Sequence, residues 1–302
     1  MRSARVCATG TAMTRRGAVV PVLTVLGVIV VAWYLAAIGM NAAWERDQAA
    51  RADAVLTLPA LVTRTLSQDR PVLPAPHQVA AGLWNGVAGQ AITSRRSLVW
   101  HGWVTLSATL AGCAIGTAAG ILLAVGIVHS RSMDQSVMPW AVASQTVPIL
   151  AIAPMVIVVL SSIGITGLLP KAIIAAWLSF FPVLVGMVKG LRAPDAMQMD
   201  QMRSWSAGRA AVLWHLRLPA SLPYLFASLK VAIAAALVGT IVGELPAGAT
   251  AGLGARLLSG SYYGQTVQIW SALFAAAILA AALVAIVGVI ERRVLTRMGL
   301  AR

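Results

Sequence analysis

Residues Trp103 to Val128 read WVTLSATLAGCAIGTAAGILLAVGIV, with no charged side chain anywhere in the stretch. An α-helix of this length reaches about 39 Å at 1.5 Å per residue, enough to cross a hydrocarbon layer about 30 Å thick. Gly112, Gly116 and Gly120 recur every four residues within it, lining one helical face with small residues so that a second helix can approach closely. The composition of the whole chain agrees with lipid as its solvent. Of 302 residues, 59% are hydrophobic and only 11% charged, too few to cover the surface of a soluble globule.

Five other apolar blocks accompany this one, at Val19–Met40, Val137–Leu160, Leu169–Val188, Tyr224–Val242 and Trp270–Ile290, which predicts an all-α polytopic membrane protein with about six transmembrane helices. Four arginines and no acid precede the first block, as in a secretory signal, but the block exceeds the roughly 7–15 residues of a signal's apolar region. An uncleaved span is therefore expected. Six spans place both termini on one side, and the basic flanks, Arg15-Arg16 and Arg292-Arg293, make that side the cytoplasm. The connection 189–223 carries five basic residues against two acids, as a cytoplasmic loop should, whereas 244–269 carries a single Arg256. The expected organisation is a cytoplasmic tail 1–18, a first helix 19–40, an external loop 41–102 with a surface helix near Val79–Ile92, a membrane core 103–290 and a cytoplasmic tail 291–302.

A net charge of +14 raises the possibility of nucleic-acid binding, but the basic residues sit at the ends of apolar blocks rather than in one stripe, which is the pattern of membrane orientation. Cys7 and Cys113 are expected to be free thiols, and His77, His101, His129 and His215 lack metal-ligand spacing, so neither metal nor cofactor is expected. There is no phosphate-cradling GxxxxGK[ST] and no GxSxG elbow. The spans are nearly free of intramembrane carboxylates, which disfavours an ion-coupled carrier; Lys171 and Lys230 lie near span ends, where they can snorkel. Active transport would then draw its energy from a partner that hydrolyses nucleotide.

The loop before the fifth block reads Asp200-Gln201-Met202-Arg203-Ser204-Trp205-Ser206-Ala207-Gly208, then Leu213-Trp214-His215-Leu216-Arg217 and Leu218-Pro219-Ala220-Ser221-Leu222-Pro223. It predicts a short amphipathic helix begun by Asp200, a turn, and a proline-limited second helix, an element suited to docking a soluble partner. Here the chain resembles permease subunits of ATP-binding-cassette importers, whose cytoplasmic signature is EAA, three residues, Gly, nine residues, Ile, one residue and Leu-Pro. Asp200-Gln201-Met202 stands at EAA, Ser206 at Gly, Leu216 at Ile and Leu218-Pro219 at Leu-Pro, and only Leu-Pro is identical. Ser206 tolerates the backbone angles of the family's Gly less well, and Gly208, two residues on, is the alternative for that turn. Leu73-Pro74-Ala75-Pro76, Gln145-Thr146-Val147-Pro148 with Ala153-Pro154, and Gly252-Leu253-Gly254 extend the resemblance toward the nitrate, sulfonate and taurine branch, and residues 218–230 and 238–246 toward permeases for thiamine-precursor pyrimidines.

The resemblance implies a type I importer permease in a bacterial inner membrane. A pair of permeases would form the pathway, two ATPase subunits would dock on Asp200, Gln201, Met202, Ser206, Ala207, Gly208, Leu216, Leu218 and Pro219, and an external binding protein would deliver the solute. Glu244 has two readings, an acid simply facing water at the end of the fifth span or a residue lining the outer mouth of the pathway, with Tyr262 and Tyr263 candidates to cover the same mouth. Those side chains suit an uncharged ring compound better than a sulfonate or nitrate anion.

Overall fold

The computed structural model describes residues 15–53, 55–245 and 250–299, with side chains from Val19 onward. Cys7 and the N-terminal tail, Pro246 in the loop after the fifth block, and the last three residues lie outside these. The described residues form helices α1 to α12 and one π-helical turn, with no strand among them.

Two compact units divide the chain, 1–81 and 82–302. In the first, α1 (Arg15–Arg51) continues well past Met40, where the apolar block ends, so the expected boundary between span and loop falls inside one helix. Buried Asn41 accounts for the extension. Its Oδ1 accepts from the Val72 N–H at 2.8 Å and the Leu73 N–H at 3.2 Å, and its Nδ2 donates to the Leu73 carbonyl at 2.9 Å. Trp33 Nε1 donates to Pro74 O at 3.0 Å, so the extended Leu73–Pro76 segment lies along α1 and satisfies its backbone there. Helix α2 (Leu58–Leu66) packs on α1 in the same unit, and α3 (Pro76–Val87) starts three residues before the expected surface helix.

In the second unit α4 (Leu98–His129), α7 (Leu168–Leu191), α10 (Leu218–Gly243) and α12 (Thr266–Arg297) build the bundle. Five helical stretches are long and apolar enough to cross a membrane: residues 19–51, α4, α7, Arg209–Gly243 and α12. The third apolar block is a sixth only if α5 (Arg131–Ser144) and α6 (Ile149–Ser162) count as one span, because the chain bends there by 96°. Pro148 causes the break. It lacks an N–H and disfavours helical angles at Val147, so α6 has to start anew behind it.

The glycine stripe sets the centre of the bundle. A Cβ at Gly112 would lie 2.4 Å from Ala175 Cβ, at Gly116 2.1 Å from Ser179 Oγ and at Gly120 2.8 Å from Phe180 O, so α4 meets α7 backbone to backbone. On its other side α7 receives α10 through Gly239, where a Cβ would come within 2.9 Å of Ala175 Cα. Such close approach supplies the dispersion contacts that drive association between helices in lipid, where the hydrophobic effect gives no preference. Toward one end of the bundle Phe180, Val183, Leu184 and Met187 bury against α4 and α5; toward the middle Cys113, Phe226, Ile233 and Leu283 join α4, α10 and α12. Lys230 does not merely snorkel: it is ion-paired with Glu291, tying α10 to α12.

Candidate functional site

Predicted functional residues gather at opposite ends of α4, α7 and α10. At one end α7 stops at Leu191 and the chain enters α8 (Ala196–Ser204). Asp200 does not begin this helix. Asp195 does, with Oδ1 accepting from the Gln198 N–H at 2.8 Å while Gln198 Oε1 accepts from the Asp195 N–H at 3.2 Å, a reciprocal capping box that closes two free backbone donors. Asp200 lies inside the helix and accepts from Arg203 Nη1 at 2.8 Å across one turn. The sequence signal for this start, Asp195 followed three residues later by Gln198, stood one turn ahead of the motif.

Helix α8 ends in a Schellman turn. The Ser206 N–H donates to Arg203 O at 2.8 Å and the Ala207 N–H to Met202 O at 3.0 Å, with Ser206 itself in the left-handed region at φ 53°. The family's Gly would fit this position freely; Ser206 holds it with strain. Gly208 does not take the turn over, because its backbone is extended (φ −67°, ψ 163°) and it precedes α9 (Arg209–Val212). Beyond α9 the backbone widens into one π turn, Leu213–Arg217, where the Leu218 N–H reaches back five residues to Leu213 O, before α10 starts with Pro219 in its first turn. The proline therefore opens the fifth long helix rather than limiting a second short one.

No residue of α8 is buried. Asp200, Gln201, Ser206 and Gly208 are exposed, and Met202, Ala207, Leu216, Leu218 and Pro219 are half-buried. Met197 (80% exposed) and Trp205 (67% exposed) present apolar surface beside them. Between this loop and the end of α4 lies a cleft of about 340 Å³ bordered by His129, Met199, Arg203, Ala207, Arg209 and Arg217. Apolar anchors next to a basic cleft suit a partner with hydrophobic and acidic features.

At the opposite end, Glu244 neither faces water nor lines an open surface of the chain: it is 0% exposed. Both of its oxygens lie within hydrogen-bond reach of the Thr105 hydroxyl, at 2.9 and 3.0 Å, Oε2 accepts the Gly254 N–H at 2.9 Å, and Lys171 Nζ stands 3.6 Å from Oε1. Thr105 Oγ1 in turn accepts from the Leu253 N–H and His101 Nδ1 from the Gly252 N–H, each at 2.9 Å, while Lys171 donates to Ala251 O. Three side chains thereby satisfy the leading N–H groups of α11 (Leu253–Tyr262), and a buried carboxyl group sits at the positive end of that helix. Gly252 has to be glycine here. Its φ is +126°, and a Cβ would lie 2.1 Å from the Glu244 carboxyl carbon.

Tyr262 and Tyr263 are not brought to this carboxylate. They stand at the far end of α11, 75% and 70% exposed. Thr105, Lys171 and His101 escaped the sequence reading, since Thr105 and His101 lie 139 and 151 residues from the groups they bind.

A family profile described as "binding-protein-dependent transport system inner membrane component" matches residues 116–299. The chain is 32% identical over 222 residues to the riboflavin transport system permease protein RibX of Chloroflexus aurantiacus, covering 73% of this chain and 78% of that protein. It is 28% identical to the formylaminopyrimidine transport permease protein ThiX of Halalkalibacterium halodurans (61% and 68% covered). With the taurine transport system permease protein TauC of Escherichia coli it shares 26% identity (69% and 74% covered).

Proposed function

We propose, from the premise that this chain belongs to the family of binding-protein-dependent transport system inner membrane components, that its α8 loop docks the ATPase driving solute import. The protein is an ABC importer permease. The observation that carries the docking assignment is the exposed α8 with its Schellman turn, standing at the family's motif spacing and presenting Met197 and Trp205 as exposed apolar side chains. Two ATPase subunits, a second copy of the permease and an external binding protein complete the assembly, and ATP is bound by the ATPase. The basic residues of 189–223 orient this loop, and both termini, to the cytoplasm. Closure of the ATPase pair then moves α8 and the helices behind it as a rigid body.

The solute is an uncharged ring compound. Two relatives carry riboflavin and formylaminopyrimidine in their names, and Tyr262 and Tyr263 offer flat faces on the outer side. Glu244 serves this pathway by fixing the helix that bears the tyrosines. In proteoliposomes holding the permease, its ATPase and its binding protein, Ala207→Arg should lower uptake at least ~10-fold by placing a charge in the docking surface, with the protein still in the bilayer. Unchanged uptake and ATP turnover would remove the docking assignment, and preference for taurine or nitrate over flavins and pyrimidines would overturn the ring-compound assignment.

A further inference from the structure

Beside α11 the second unit has an open pocket of about 450 Å³, lined by Gln90, Arg256 and Gln268 with Asn85, Arg96 and Gln265 exposed around them. It holds two guanidinium groups and no carboxylate. The one acid at this end of the bundle, Glu244, is already committed to Lys171, Thr105 and Gly254. Asp134, Asp195 and Asp200 belong to the opposite end, and Glu291 is paired with Lys230. Arg256 is thus left without a counterion among the described residues of its unit, and its Nε is buried with no hydrogen-bond acceptor among them. A buried donor in a native fold normally has a partner, and the guanidinium that carries this unmet one also lines the polar pocket. Burial, and after it the charge of Arg96, both work against the Arg256 cation, so a negative group between them relieves both.

We propose that this pocket binds one oxyanion of the phosphate class, gripped by the Arg256 fork and neutralised jointly with Arg96. Guanidinium groups match phosphate oxygens in pairs, and the side-chain amides of Asn85, Gln90 and Gln265, which make no hydrogen bond among the described residues, supply further donors. The pocket has room for more than a bare anion, so a phosphate carried on a larger molecule, a lipid headgroup or a soluble phosphate ester, also fits. The sequence did not foretell the pairing. Arg256 reads as the lone cation of its loop, and Arg96 comes from a segment 160 residues earlier.

Radiolabelled inorganic phosphate binding to the purified full chain, in nanodiscs of phosphatidylcholine and of phosphatidylglycerol, tests the site. Saturable binding at one per chain in phosphatidylcholine is expected. Arg256→Gln should weaken it about 10-fold or more, and Arg96→Gln several-fold. Arg256→Lys, which keeps the charge but loses the fork, should fall between wild type and Arg256→Gln. Binding suppressed in phosphatidylglycerol assigns the occupant to a headgroup, and equal binding in both lipids assigns it to a soluble phosphate. Wild-type binding no stronger than that of the double Gln variant overturns the proposal, whatever solute the permease carries.

Discussion

The two ends of the bundle solve opposite problems with the same kind of part, a short helix on a connecting loop. Helix α8 is held only by bonds local in sequence, its capping box and Schellman turn, and has no buried residue. Helix α11 is held by His101, Thr105 and Glu244, contributed by α4 and the end of α10, and buries Leu253, Gly254 and Gly260. A helix secured by its own neighbours keeps its outer surface free for another protein. One secured by distant side chains is committed to its own fold, and what it displays is what projects beyond the anchor, here Tyr262 and Tyr263.

Breaking the anchored end should have the largest effect. Glu244→Ala leaves Lys171, Thr105 and the Gly254 N–H facing a cavity, and removal of one member of a buried pair costs about 3–5 kcal/mol. A fall in the thermal unfolding midpoint of the purified protein would register it, with Glu244→Gln, which keeps an acceptor, losing less. A midpoint unmoved by Glu244→Ala would show that the anchor does not hold the loop. At the self-contained end the effects are smaller and local. Asp195→Ala removes the cap and should cost α8 about 1 kcal/mol, or roughly fivefold in amide-exchange protection at 197–199, with the global midpoint unchanged. Ser206→Gly should act in the opposite direction and least, stabilising the turn by about 0.5 kcal/mol through release of the left-handed strain. If exchange across α8 is the same with Gly at 206, the turn is not strained in solution.

The sequence displayed this division unevenly. Apolar length alone marked the spans, and the four-residue glycine period marked the α4–α7 seam, because both are local patterns with one physical solution. The motif at Asp200–Pro219 located the loop, while the assignment of the helix start to Asp200 missed Asp195, a cap one turn upstream with its own signature. The extension of α1 to Arg51 depends on Asn41 meeting a segment 31 residues away, and the 96° bend depends on how Pro148 resolves inside an apolar run that length alone reads as continuous. Glu244 was the hardest to read. Beside a proline and several glycines an acid looks solvated, and only the fold brings Thr105 and Lys171 to it.

The π turn at Leu213–Arg217 has a consequence for phase. A π turn amounts to one residue more than an α-helix needs, and one residue is about 100° of rotation about the axis. Everything from Leu218 onward is therefore indexed against α9 by that extra step. The small face of α10, where Ser221 and Ser228 meet Gly190 and Gly186 of α7, points into the bundle because the step is there. The same step sets the direction in which Arg209 looks from the other side of it. The two faces of this 35-residue helical run, one for its own bundle and one for what lies outside, are kept in register by a single surplus residue.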